Sequence, residues 1–525
     1  MSIVILALFA LANADIYLHH PRGSNNRCDE RSNDRANANR LFDSQNNRAG
    51  GYAVPCSDIS LECFAPHYYE SSLLYVRWTA QHACGHENSC RIIIDYMCDE
   101  FLRDGQPTNS HGNTCTHTIP LLDDSLTPLY GRHESLQYYQ NCTTRPRPPL
   151  FIGSQRLRGN TAQFTRQNPN GDRYGFECPE ERDYFPYWAP SPWTTIAVLT
   201  TDLNDCINTT YDCFEAEPSQ INRLGSAKFL HREPEYIWTL PPTDIPQKCA
   251  LRIRYNISLP YDPLPVIDNP VINILNVSLR LALDTSQLPR TFEDRSYSFW
   301  IVPRPHIKGR IHNLGVQGKR GNIAQVRNCF EYDFVPNNVT IDVDDLIHFQ
   351  WVGSDYNPLN NDGEGRRGTD RSNIVAIDRP DTYIPRTQYI FNDTDVAKRF
   401  ALAQQTCTVD SDDCRLLNNA SPWFNEFPVR FVEPNKTYHY MCTRNNNFSN
   451  RDQKGTIYVR SRADDNDESN TAQSGSSDGS EIALYIMVTV VLLVVGFVII
   501  DYRRVIREKF SDRLYRIRVH FASRI

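Results

Sequence analysis

Long amphipathic helices are almost missing from this 525-residue chain: hardly any stretch repeats its apolar residues every 3.6 positions, which sets helical bundles aside. Also missing are a nucleophile elbow, a P-loop and a metalloprotease helix, so the common hydrolase and nucleotide-binding signatures give no starting point. The string GEGRRG, with Gly363, Gly365 and Gly368, has dinucleotide-fingerprint spacing, but TDRSNIVAI follows it, a loop entering a strand where a helix is required. There is no repeat of fixed period. Nor is there a basic surplus suited to nucleic acid, since the excess Lys and Arg lie in the last 25 residues beside an apolar run. Cysteine is absent after Cys442, and the loop that follows it, TRNNNFSNRDQKG, contains neither His nor Met.

The residues present describe an exported chain. Residues 1–14, MSIVILALFALANA, end in a small-x-small pattern and read as a signal peptide, with Asp15 as the first mature residue. Residues 481–501 read as a single transmembrane helix, because Ile482 to Ile500 is a charge-free run of nineteen residues, enough to span a hydrocarbon core of about 30 Å. Arg503, Arg504, Arg507 and Lys509 follow and assign the 502–525 tail to the cytoplasm. Residues 501–525 carry a net +5, which leaves −12 of the total −7 on everything before them. The expected localisation is the plasma membrane, type I, with an extracellular ectodomain and an acidic, Ser-rich stalk at 461–480.

Sixteen cysteines, Cys28, Cys56, Cys63, Cys84, Cys90, Cys98, Cys115, Cys142, Cys178, Cys206, Cys213, Cys249, Cys329, Cys407, Cys414 and Cys442, all precede the apolar run and are disulfide candidates. N-glycosylation sequons stand at Asn141, Asn208, Asn256, Asn276, Asn338, Asn392, Asn435 and Asn447; a further one at Asn419 is weakened by the nearby Pro422.

Thirty-three prolines and many short β-branched or aromatic runs predict a mainly β fold of tandem disulfide-stabilised β-sandwich domains. Strands are expected at 73–80, 90–97, 250–259, 271–283, 338–343, 346–353 and 455–460. The division is a Cys-rich N-terminal β domain at 15–225, a middle β domain at 226–305 and a third sandwich at 306–460.

Several stretches carry potential chemistry. His82, Cys84, His86 and Cys90 could hold zinc, although exported thiols oxidise and disulfides are the expected outcome. His19 or His20 with His82 resembles the copper brace of lytic polysaccharide monooxygenases, but that brace needs His as residue one, and Asp15 takes that place. Glu180, Glu181 and Asp183 beside Tyr184, Phe185, Tyr187, Trp188 and Trp193 fit a packed aromatic turn or a sugar site. In NNRCDERSNDRANANRLFDSQNNR (25–48), twelve of twenty-four residues are Asn or Arg, a donor-rich segment that either ties a long loop down or faces a polar ligand.

VTIDVDDLIHFQWVGSDYNP (339–358) with TYHYMCTRNNNFSNRDQKGTIYV (437–459) resembles the strand pairs of a cupredoxin, with Cys442 at the position of the copper thiolate. Leu359 follows Asn357-Pro358, where a ligand His would stand; His439 lies three residues before Cys442 and His348 within a strand, neither of them in the expected loop. Taken with DIYLHHPRGSNNRCDERSNDRANANRLFDSQNNRAGGY (15–52), QNPNGDRYGFECPEERDYFPYW (167–188), GKRGNIAQ (318–325), GRRGTDRSNIV (365–375) and YMCTRNNNFSNRDQKG (440–455), the chain resembles the DD three-three protein family. The resemblance implies a secreted or membrane-anchored protein and carries over no catalytic residue. The expected function is a non-catalytic cell-surface glycoprotein that binds an extracellular protein or glycan through residues 25–48, 354–372 and 443–454. No cofactor and no nucleic-acid partner are expected. The alternatives are an extracellular copper-dependent oxidase or polysaccharide-active enzyme, and a structural component of the extracellular matrix.

Overall fold

A computed structural model describes residues 16–23, 55–56, 65–80, 89–99, 108–109, 192–216, 235–258, 271–280, 291–296, 298–317, 332–353, 371–386, 390–391, 393–407, 411–421, 423–444 and 452–461. The signal peptide, the stalk, the apolar run and the tail lie outside the described residues, as do Asn141, Asn392 and Asn447. So do Cys28, Cys63, Cys84, Cys115, Cys142, Cys178, Cys329, His82, His86, residues 25–48, residues 178–191 and the Gly363–Gly368 string. Among the described residues no helix is long and apolar enough to cross a membrane.

The fold is mainly β, as the short β-branched and aromatic runs of the sequence predict. Asn338–Asp342 and Lys454–Arg460 bury every second side chain, the period of a sheet with one wet face, and they pair in parallel from Asn338↔Thr456 to Asp342↔Arg460. Ile311–Gln317 and Leu346–Val352 bury every residue instead, and also pair in parallel. A strand dry on both faces belongs between layers, and that is where these two sit. Ile347, Phe349 and Trp351 join Val339, Ile341, Tyr438, Tyr440, Ile457 and Val459 in one core. A second core joins Leu74, Val76, Trp78 and Trp238 of the same central sheet to Ile92, Ile94, Leu251, Ile253, Tyr255, Phe299 and Ile301. Three β layers therefore stack, with an eight-stranded sheet in the middle.

This arrangement corrects two expectations. Residues 226–305 do not form a sandwich of their own: Glu235–Thr239 pairs with Leu73–Ala80, and Gln247–Ser258 lies between Ser89–Cys98 and Phe299–Val302. Nor are the sandwiches strung in tandem, because Leu73–Ala80 pairs with Ile311–Gln317 inside one sheet, and residues 1–461 form one compact unit. The physical reason is burial. Each apolar face needs a cover, and strands with two apolar faces find it only between neighbours.

Covalent and ionic links reinforce the outer parts of the fold. Cys98 and Cys249 are cross-strand partners joined by a disulfide, and Cys206–Cys213 and Cys407–Cys414 close short loops. Cys90 is also disulfide-bonded, which removes it as a zinc ligand. Asp95 receives Arg252 at 2.9 Å and Arg254 at 3.0 Å in a site where all three side chains are buried. The helix Thr394–Ala401 starts at Asp393, whose carboxylate accepts the Asp395 and Val396 amides, and packs Ala397 and Phe400 inward.

Candidate functional site

The site is built from the end of the strand Lys436–Met441. Tyr438 and Tyr440 face the core, and the pleat sends His439 to the opposite face, where Nδ1 meets Thr456 Oγ1 at 2.9 Å. Tyr440 lies against Gly455 so closely that a Cβ there would collide with its ring. One step past the strand, Cys442 is fully buried and unpaired. The expectation of a disulfide at Cys442 is corrected: it is a free thiol inside the core.

Hydrogen-bond donors surround that thiol. Burial pushes its pKa up, opposed by the backbone N–H groups of Asn373 and Arg444, the Arg444 charge and the Ser372 hydroxyl. The net effect is upward, so at neutral pH the sulfur keeps its proton.

The same residues tie the segment that starts at Arg371 to the segments that end at Arg444 and start at Asp452. Asn373 Oδ1 accepts the Thr443 N–H at 2.8 Å and its hydroxyl at 3.2 Å, while Asn373 Nδ2 donates to the Ala401 carbonyl at 2.6 Å, at the end of the helix. Gln453 Nε2 donates to Ser372 Oγ at 2.9 Å, and the Gln453 carbonyl accepts the Cys442 N–H at 3.1 Å. Arg371 Nε donates to the Ala420 carbonyl at 2.6 Å. Arg444 donates to the Leu416 carbonyl through Nε at 2.9 Å and Nη2 at 2.6 Å, and also contacts Asn418. Arg371, Ser372, Asn373, Arg444 and Gln453 are all buried. Arg371, Ser372 and Asn373 are thus clamped beside Thr443, Arg444 and Gln453 at one pole of the core.

Does this pole fit copper? A blue-copper centre takes a thiolate, two imidazoles and a weak axial thioether. Cys442 is met by N–H and O–H donors, and among the described residues no imidazole or thioether joins them at the sulfur. His439 points to the other face of its sheet. His348 also points away, because Ile347 and Phe349 of its strand face this core while its ring turns toward Asn313 at 3.0 Å and Asn425 at 2.8 Å. Among the described residues no three His, Cys, Asp or Glu side chains gather as a metal set. The described residues at this pole do not fit the cupredoxin metal.

His20 is equally committed. His20, in the strand Ile16–His20, donates from Nδ1 to the Tyr75 carbonyl at 2.6 Å, and its other nitrogen lies against Gly315, where a Cβ would clash. Burial lowers its pKa to about 4, partly offset by the Tyr75 bond and reinforced by Arg77 and Arg22. A cavity of about 30 Å³ beside it, lined by His20, Arg22, Tyr68, Phe299, Gln350 and Trp351, has room for a few waters at most.

Other expected sites are placed as follows. Asn208, Asn276, Asn338, Asn419 and Asn435 are exposed. Asn256 is 3 % exposed in the middle of a sheet, paired with Arg91 and Thr291, and is corrected as a glycan site, because no oligosaccharide fits there. Sequence reasoning missed Asn373 and Gln453 as clamp residues. Both lie in the unusual blocks GRRGTDRSNIV and YMCTRNNNFSNRDQKG, and their place in those blocks was the available signal. It also missed the buried run from Tyr75 Oη to His312 Nδ1 at 2.8 Å and from His312 Nε2 to Asp345 at 3.4 Å, which ties three segments of the central sheet.

Comparison with known families finds the DD3-3 N-terminal domain over residues 14–211 and the DD3-3 cupredoxin-like domain over residues 309–459. No curated protein and no solved structure matches the chain.

Proposed function

Because the chain belongs to the DD3-3 family and ends its family match in a cupredoxin-like domain without fitting metal ligands, we propose that it is a cell-surface recognition protein. In this reading it is a type I membrane glycoprotein, held by residues 481–501, that binds an extracellular protein or glycan and catalyses no reaction. The observation that supports it is the clamp. Where a copper protein spends this pole on ligands, this chain uses buried Asn373, Gln453, Arg371 and Arg444 to fix the stems of two loops side by side. A rigid β scaffold that presents adjoining loops is a recurrent design for recognition surfaces. Exposed sequons at Asn208, Asn338 and Asn435 and the disulfides suit an extracellular setting.

The test is cell adhesion. Cells displaying the full chain are compared with cells displaying a chain whose residues 354–370 and 445–451 are replaced by Gly/Ser sequences of equal length. Adhesion to untransfected cells or to immobilised glycans should drop to background at equal surface level. Adhesion that survives both replacements would remove these loops as the recognition surface. Resistance to alkaline carbonate extraction, with a C-terminal tag reached only after permeabilisation, checks the topology.

A further inference from the structure

Val271–Ile274 and Val277–Arg280 form a two-stranded hairpin that pairs with no other strand among the described residues. Its register, Ile272↔Leu279 and Ile274↔Val277, places these four side chains on one face; Asn273↔Ser278 lies on the other, with Ser278 Oγ donating to Asn273 at 2.6 Å. Ile274 is 50 %, Val277 54 % and Leu279 47 % exposed, so the apolar face is uncovered.

The tip is stranger still. Leu275 has φ 50° and Asn276 φ 63°, the two left-handed positions of a type I′ turn. Such positions favour Asn, Asp and Gly; a leucine there is sterically disfavoured. Leu275 is also 93 % exposed, so nothing among the described residues compensates for either disadvantage. No residue from Val271 to Leu279 is charged.

What would cover a charge-free face that ends in a projecting leucine? Four or five aliphatic side chains, each presenting on the order of 100 Å², fall short of the roughly 800 Å² per partner of a stable protein interface. A bilayer has no such threshold, and it accepts a tip that leads with its most exposed side chain. The sequence also places one within reach: twenty residues, 461–480, separate the last strand from the apolar run, a tether of at most about 70 Å.

We propose that the 271–280 hairpin is a membrane-dipping tip that enters the outer leaflet through Ile274, Leu275 and Val277. The proposal rests on the membrane-anchored reading above for the nearness of the bilayer. It requires Asn276, although a sequon, to be unglycosylated, because a hydrated oligosaccharide at the tip would hold it out of lipid.

The experiment places a diazirine-bearing residue at position 275 of the full chain by codon suppression, in cells fed a clickable phosphatidylcholine, with the exposed Ile245 position as control. Irradiation should give lipid adducts at 275 about tenfold above those at 245, falling to the control level when Ile274→Asn and Val277→Asn are added. A crosslinked dimer of the chain at 275, lipid adducts no higher than at 245, or a glycan on Asn276 would each overturn the proposal. Release of the chain by carbonate would instead count against the anchor. The released chain, mixed with phosphatidylcholine vesicles, then reads tip insertion by the same adduct, so the two ideas fail separately.

Discussion

Asn373 accepts the Thr443 backbone N–H at 2.8 Å across seventy positions of sequence, and with its other side-chain atom it holds the Ala401 carbonyl at 2.6 Å. One amide therefore joins a loop stem, a helix terminus and the end of the strand that carries Cys442. Asn373→Ala leaves a buried donor and a buried acceptor without partners, which costs about 2–4 kcal/mol. The melting temperature should fall accordingly. Proteolysis at residues 443–453 should accelerate more than global unfolding explains; cleavage that only tracked global stability would show that the clamp does not hold the loop.

Asp95 poses a different problem, because it sits between Arg252 and Arg254 with all three side chains out of water. Burial alone would raise its pKa, but Arg254 and Arg252 together with the Thr195 hydroxyl outweigh it and hold the carboxyl below its ordinary value. A depressed carboxyl pKa stabilises the fold above the unfolded value of about 3.9, and that stabilisation is lost as pH falls through the folded value. Asp95→Ala strands two guanidiniums and should cost about 3–5 kcal/mol, whereas Asp95→Asn keeps the shape and some of the hydrogen bonds and should cost less. Chemical denaturation of both variants at pH 7 measures the difference; equal losses would mean that the charge contributes nothing beyond the contact.

Histidines set the earlier part of the acid response. Burial brings His20 and His348 down to about 4, opposed by the Tyr75 carbonyl in one case and the Asn425 side chain in the other. Above the ordinary value of about 6.5 both folded and unfolded chains hold neutral imidazoles, so nothing changes there. Below it the unfolded chain gains protons that the folded chain refuses, and stability is lost progressively between pH 6.5 and pH 4. Each residue should cost on the order of 2 kcal/mol at pH 5 relative to pH 7. Denaturation midpoints measured across this range should drop, and His348→Gln, although destabilised at pH 7, should show a shallower pH slope. An unchanged slope would place the acid sensitivity elsewhere.

Glycan placement separates exposed from buried sequons. Peptide mass spectrometry of the full chain from a eukaryotic host should find occupancy at Asn208, Asn338 and Asn435 and none at Asn256, which is inside the sheet. An occupied Asn256 would mean that Gln247–Ser258 is not a central strand.

The strands were readable where β-branched, aromatic and other apolar residues run together. The expected segments 73–80, 338–343, 346–353 and 455–460 meet the observed Leu73–Ala80, Asn338–Asp342, Leu346–Val352 and Lys454–Arg460 within a residue. The expected strand 271–283 is instead broken by a turn at Leu275-Asn276, because a leucine occupies a place where Gly or Asn normally signals the reversal. The shared central sheet was not readable either. Leu73 pairs with His312 far along the chain, and no local pattern records which distant strand covers a two-faced apolar run. The clamp escaped for a related reason. Asn373 and Gln453 look like loop residues in sequence, and only the fold reveals that their amides are buried against backbone that arrives from other segments.

Cys442 gives the sharpest test of the metal question. Its thiol is buried, protonated at neutral pH and met by Ser372, Asn373 and Arg444 as donors. Iodoacetamide should therefore leave it unmodified in the native full chain over hours and alkylate it at once in denaturant, as read by peptide mass spectrometry. Cys442→Ser should lower stability by about 1–2 kcal/mol, since a hydroxyl fills the core less well than sulfur and must be satisfied at a different bond length. Plasma mass spectrometry after dialysis against copper and zinc should find the same metal content in the wild type and in Cys442→Ser. About one copper per wild-type chain that disappears in the variant would mean that imidazoles reach this sulfur after all, and the oxidase alternative would then displace the recognition reading.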